Sequence, residues 1–170
     1  MSHQPEFNYD ETSGICGCSI FIDDFLQGFG IAQCAEQDRD MISEKTGMHI
    51  AEMRAQINLL QNYKNRELHP ELKAYKHLLG TMVNSPRYNP NSYEAKRLNR
   101  EIRNVEKAMR EINIAIEATK AQLYNYINGK ERMYQRIRAN DHEGYKDEDT
   151  NTLLNDIGVY EKICGNDNKT

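Results

Sequence analysis

Twelve positions between residues 98 and 137 limit what this chain can fold into more than any other feature. Leu98, Ile102, Val105, Met109, Ile112, Ile116, Thr119, Leu123, Tyr126, Lys130, Met133 and Ile137 follow one another at alternating steps of four and three. Ten of the twelve are apolar, in a chain whose overall apolar share is 38%. A step averaging 3.5 keeps one face of an α-helix aligned, so this spacing predicts a single long helix with a coiled-coil-like seam. Taken over residues 92–139, that helix would be ~70 Å long at 1.5 Å per residue.

The chain's own upstream half is the expected partner of this seam. Residues 41–83 carry a second helical pattern, with Ile50, Met53, Ile57 and Leu60 in its first part and Leu68, Leu72, Tyr75, Leu79 and Met82 in its second. Pro70 lacks a backbone donor and falls between them, which predicts a kink or a one-residue slip of register. "NSPRYNPN", residues 84–91, holds two prolines and three asparagines and reads as a loop. Asn91 followed by Glu94 resembles a capping box at the start of the long helix. Two arms of similar length joined by a short loop favour an antiparallel arrangement.

The expected fold is therefore all-α: a long antiparallel helical hairpin over residues 41–139, with short helices at both ends. Residues 1–40 would form an irregular tail through Cys18, then a small amphipathic helix presenting Ile22, Phe25, Leu26 and Phe29. Residues 140–170 would supply an acidic linker and a final helix through Leu153, Ile157 and Tyr160, stopped by Gly165.

The long helix has more than one apolar face. Ile114, Ala118, Ala121 and Tyr124 lie away from the seam, so a second neighbour is expected there, and a second copy of the chain covers a long rod best. A basic stripe of Lys96, Arg97, Arg100, Arg103, Lys107 and Arg110 accompanies only two acidic residues over positions 96–110. Its plain reading is a solvated outer face stitched by i,i+4 pairs. The alternative is a site for a nucleotide, nucleic acid or an acidic partner, with Tyr88 and Tyr93 near enough to stack on a base. The net charge of -4 offers no general polycation, and the segment from Asp141 to Asp149 is itself strongly acidic.

Motifs for catalysis are missing from the sequence. It contains no zinc-protease H-E-x-x-H, phosphate-binding loop, nucleophile elbow, dinucleotide fingerprint or calcium loop. Cys16, Cys18, Cys34 and Cys164 are expected as free thiols; as zinc ligands they form the weaker alternative, because only one close pair exists. No apolar run reaches ~20 residues, and no signal-peptide pattern opens the chain, so neither a membrane span nor secretion is expected. The abundance of Asn, Ile, Lys and Tyr fits an AT-rich gene, as in many bacteria and their viruses. The expectation from sequence is a non-enzymatic assembly, scaffold or adaptor protein without a cofactor. It would be cytoplasmic, or a virion component if the gene is viral, and would act by self-association or inside a larger protein assembly. A helical binder of a nucleotide or nucleic acid is the alternative.

Overall fold

A computed structural model of the chain describes residues 4–22, 26–35 and 43–139. Three strands, β1 (Glu6–Asp10), β2 (Ile15–Phe21) and β3 (Gln27–Gln33), form an antiparallel sheet in the order β1-β2-β3. Helix α1 (Glu44–Tyr63) follows, then a π-helical turn (Lys64–Leu68), helix α2 (His69–Val83) and the long helix α3 (Tyr93–Ala139). The protein is thus mixed α and β. The all-α expectation fails, and with it the description of the molecule as a coiled-coil or helical hairpin.

The error lies in residues 1–40. Ile22, Phe25, Leu26 and Phe29 fit a helical face on paper, but Phe25 lies outside the described residues, strands β2 and β3 occupy both sides of that stretch, and the Ile22 N–H donates to the Leu26 carbonyl at 3.0 Å. The residues read as a tail hold β1 and most of β2. Asp10 organises the first turn, its carboxylate accepting from the Thr12 N–H at 3.0 Å and the Ser13 hydroxyl at 2.6 Å. Those hydrogen bonds, Ser13's first, hold the Asp10 carboxyl below the usual range. Gly14 completes the turn with φ +65°, a conformation that favours glycine.

Strand alternation places Cys16, Cys18 and Ile20 of β2, and Gly28, Gly30 and Ala32 of β3, on one face. Helix α1 lies against that face through its own small residues, Ala51 and Ala55, both fully buried. The approach is closer than side chains allow. A Cβ at Gly30 would stand 1.9 Å from the Ala51 carbonyl oxygen, and one at Gly28 would stand 2.4 Å from that of Ala55. The helix backbone itself therefore roofs β3.

Side chains of α1 also cover the outer edge of that strand. Asn62 donates to the Gln27 carbonyl at 2.7 Å, Asn58 accepts from the Phe29 N–H at 3.0 Å, and Arg54 donates to the Ile31 carbonyl. These three residues are spaced four apart on the helix and meet alternate residues of the strand. They occupy backbone groups that would otherwise form an open edge.

Helix α3 runs back along α1 and α2. His49 meets Tyr126, Lys64 meets Asn113 and Lys76 meets Glu106, so numbering falls along one arm as it rises along the other. All twelve seam positions are buried or half-buried. Their surroundings are not those of a uniform coiled coil. Tyr126, Leu123 and Ile127 join Cys16, Cys18, Ile20, Ala32, Ile50, Ala51 and Ala55 in a core shared by sheet and helices, whereas α2 buries no residue fully.

The π-helical turn stands just before Pro70, where the His69 N–H reaches back to the Lys64 carbonyl, five residues away. One extra residue in the turn moves the stripe by one position and leaves Leu68 buried. Ser92, not Asn91, caps α3: its Oγ accepts from the Ala95 N–H at 3.2 Å. The acidic linker, the helix expected near residues 151–164 and Cys164 lie outside the described residues.

Candidate functional site

The sheet face turned away from α1 exposes a group of large apolar side chains. Alternation assigns Ile15, Gly17, Ser19 and Phe21 of β2 and Gln27, Phe29, Ile31 and Gln33 of β3 to it, none of these eight charged, with Glu6, Asn8 and Asp10 of β1 beside them on the same face. The register pairs Ser19 with Phe29 and Gly17 with Ile31, leaving the larger chains of β3 above small neighbours. Phe29 is 51% exposed and Ile31 62%. Phe21 and Phe29 meet edge to face with centroids 6.0 Å apart, and Ile22, at the end of β2, is exposed as well. Antiparallel sheets with one solvated face normally alternate apolar-in with polar-out. Here β2 and β3 turn Phe21, Phe29 and Ile31 outward, while their inward residues are mostly small.

Of the interface residues expected from sequence, Ile114, Ala118, Ala121 and Tyr124 are all exposed on α3, Ile114 at 70% and Tyr124 at 67%. Among the described residues nothing covers this stripe. The six basic residues, Lys96, Arg97, Arg100, Arg103, Lys107 and Arg110, are likewise exposed on α3. Arg100 and Lys107 make long ion pairs within the helix, to Glu101 at 3.8 Å and Glu111 at 3.7 Å. Such exposed contacts are the mark of a solvated face. The two sets follow one another along α3, the basic residues nearer its N-terminus.

Cys16 and Cys18 sit side by side on the buried face of β2, and Cys34 lies just beyond β3. All three are free thiols. Burial pushes the Cys18 thiol up to about 12, with the nearby Glu52 carboxylate adding to the effect, and Cys16 is raised for the same leading reason. Among the described residues no group of three or more His, Cys, Asp or Glu side chains is placed to hold a metal.

Sequence reasoning missed a concentration of buried polar groups at the far end of α3. Thr46, His49 and Lys130 are all buried there, and Tyr134 is 3% exposed. His49 packs edge to face on Tyr126 at 4.7 Å, and the Lys130 ammonium stands 5.7 Å from the same ring. Burial, with the Lys130 charge second, holds the His49 imidazole below its usual pKa. The one signal in the sequence was Lys130, the single charged residue among the twelve seam positions.

Fold and surfaces together define a small mixed α/β protein with exposed apolar faces. The chain matches no protein-family model, and neither the curated proteins nor the solved structures contain a significant match to it. No helix among the described residues is long and apolar enough to cross a membrane.

Proposed function

We propose that this is a non-enzymatic assembly protein that works by contact between copies of itself, the outer face of the sheet being the principal contact. The observation that carries this reading is the exposed group of Phe21, Phe29 and Ile31 on a face whose eight strand residues from β2 and β3 include no charge. Exposed apolar clusters of this kind mark interaction surfaces. A second copy is the partner of choice because a two-fold contact sets a patch against itself. Like charges would then face each other, and on this face they are confined to Glu6 and Asp10 of β1, on the strand farthest from Phe29 and Ile31. The Ile114–Tyr124 stripe of α3 offers a further apolar surface, by which pairs of chains would extend into a larger assembly.

Native mass spectrometry of the full chain tests the proposal. The parent should appear at a multiple of 19.8 kDa. A variant carrying Phe29→Asp and Ile31→Asp should fall to a lower multiple while keeping its helical circular dichroism. A parent found only at the mass of one chain overturns the proposal, and so does unchanged assembly of the double variant.

A further inference from the structure

The two edges of the sheet are finished differently. On β3, Asn62, Asn58 and Arg54 of α1 hold the backbone groups of Gln27, Phe29 and Ile31. On β1, at the opposite edge, no such cover exists among the described residues. That strand pairs with β2 alone, and its one further backbone hydrogen bond is the turn contact from the Gly14 N–H to the Asp10 carbonyl at 2.9 Å. Backbone groups of an antiparallel strand point alternately to either side, so every second residue of β1 turns its N–H and C=O away from β2.

Proteins commonly blunt such an edge with a bulge, a proline or a lysine. Strand β1 contains none of these. Its register with β2 runs one to one from Glu6–Ser19 to Asp10–Ile15, which leaves no bulge, and Pro5 precedes the strand without entering it. What β1 carries instead is negative charge. Glu6 and Asp10 flank Asn8 on the outer face, all three exposed, and Glu11 follows in the turn. Burial, then the Glu11 and Glu44 carboxylates, raise the Tyr9 phenol above its ordinary pKa, so both carboxylates act on this strand. The chain has no Lys or Arg before position 39 to offset them.

These carboxylates decide what can pair with the edge. A second copy is the wrong partner: two β1 strands set antiparallel about Asn8 would place Glu6 opposite Asp10 at both ends. Like charges directly opposite destabilise a sheet, whereas a strand with Lys or Arg at those places forms favourable cross-strand pairs. On the inner side Phe7 and Tyr9 are half-buried against the core, so apolar side chains of an added strand would continue that core past β1. In strand addition of this kind the main chain supplies affinity and the alternate side chains supply selection.

We propose that the open edge of β1 takes up an extended segment of a basic partner protein as a fourth, antiparallel strand, with Lys or Arg opposite Glu6 and Asp10 and apolar residues opposite Phe7 and Tyr9. The edge is separate from the outer face of the sheet, and the proposal does not depend on assembly through that face.

The test uses the full chain and the capped peptide Lys-Val-Thr-Val-Lys. In antiparallel register its lysines stand opposite Asp10 and Glu6 and its valines opposite Tyr9 and Phe7. At millimolar peptide, NMR should show shifted amides along β1, with hydrogen exchange slowed at alternate residues of the strand. The peptide Glu-Val-Thr-Val-Glu should bind about tenfold more weakly, because two favourable cross-strand pairs become unfavourable. Glu6→Lys, a change at an exposed position, should weaken the lysine peptide and strengthen the glutamate one. N-methylation of the lysine peptide at alternate residues should abolish binding in one phase and spare it in the other. Absence of β1 shifts, equal binding of the two peptides, or the same effect of methylation in both phases overturns the proposal. Exchange protection of the outward β1 amides in the protein without peptide also overturns it, since the edge would then already be filled.

Discussion

Gly30→Ala adds one methyl group at the closest approach in the molecule. The new Cβ would lie 1.9 Å from the Ala51 carbonyl oxygen, 2.4 Å from the Ala55 nitrogen and 2.9 Å from the Arg54 Cβ. Two of these are helix backbone atoms, which cannot rotate aside, so α1 must withdraw as a body. Restoring ordinary contact at ~3.4 Å requires a movement of roughly 1.5 Å, and a gap of ~1 Å already forfeits up to half of a packing contact. Ala51, Ala55, Ala32, Cys16 and Cys18, all buried at or beside this contact, would lose packing together. Overpacking commonly costs about 1 to 3 kcal/mol, and a backbone clash belongs at or beyond the upper end, so ~3 to 4 kcal/mol is expected. For a chain of this size that corresponds to a melting temperature lower by roughly 10 °C. Gly80→Ala and Gly129→Ala are the controls, since a Cβ at either meets nothing within 4 Å and both lie inside helices. Each should stabilise by about 0.5 to 1 kcal/mol. Urea unfolding followed by circular dichroism at 222 nm reads all three. A Gly30→Ala protein within ~0.5 kcal/mol of the parent would refute the account of α1 packing by its backbone.

The edge of β3 gives a second prediction. Asn58→Ala removes the acceptor of the Phe29 N–H and should cost about 1 kcal/mol; the amide exchange of Phe29 should accelerate, and unchanged exchange would mean that Asn58 does not hold the strand. His49 gives a pH dependence. Its pKa in the folded protein lies below the ordinary 6.5, chiefly through burial and secondarily through Lys130, so the unfolded chain binds the extra proton first. Stability is then complete above pH 6.5 and declines as pH falls through that value towards the lower folded pKa. His49→Phe keeps a ring against Tyr126 and should flatten this decline between pH 7 and 5; an identical slope in the variant would assign it to other groups.

What the sequence shows of this fold follows from where its large side chains point. In α3 the big apolar residues face inward, so helical spacing alone locates the seam, and all twelve of its positions are buried or half-buried. The same phase leaves Ile114, Tyr124 and the six basic residues outside, where they are found. In β2 and β3 the relation is inverted. The buried face is built from cysteine, glycine and alanine with one isoleucine, while Phe21, Phe29 and Ile31 point out. The clearest marks of alternation, Cys16-x-Cys18 and Gly28-x-Gly30-x-Ala32, are therefore too small to read as a core, and the conspicuous residues around them mimic a helical face. A cavity at the end of α3 is assembled from Gly14, Ser43 and Lys130, far apart in the chain, and no local pattern predicts their meeting.

This inversion links the packing of the fold to its proposed function. Helix α1 can lie directly on β3 only if the strand offers no side chain larger than alanine beneath it, which Gly28, Gly30 and Ala32 satisfy. Because side chains alternate, a slip of the strand by one residue would turn Phe29 and Ile31 inward and lift the helix away. The asparagine and arginine contacts from α1 to Gln27, Phe29 and Ile31 oppose that slip, since they bind alternate residues of the strand in one phase. The devices that fix the core thus also fix two large apolar residues on the exterior. Burying them against a second copy recovers hydrophobic stabilisation that the inner face, roofed by helix backbone, has no room to provide.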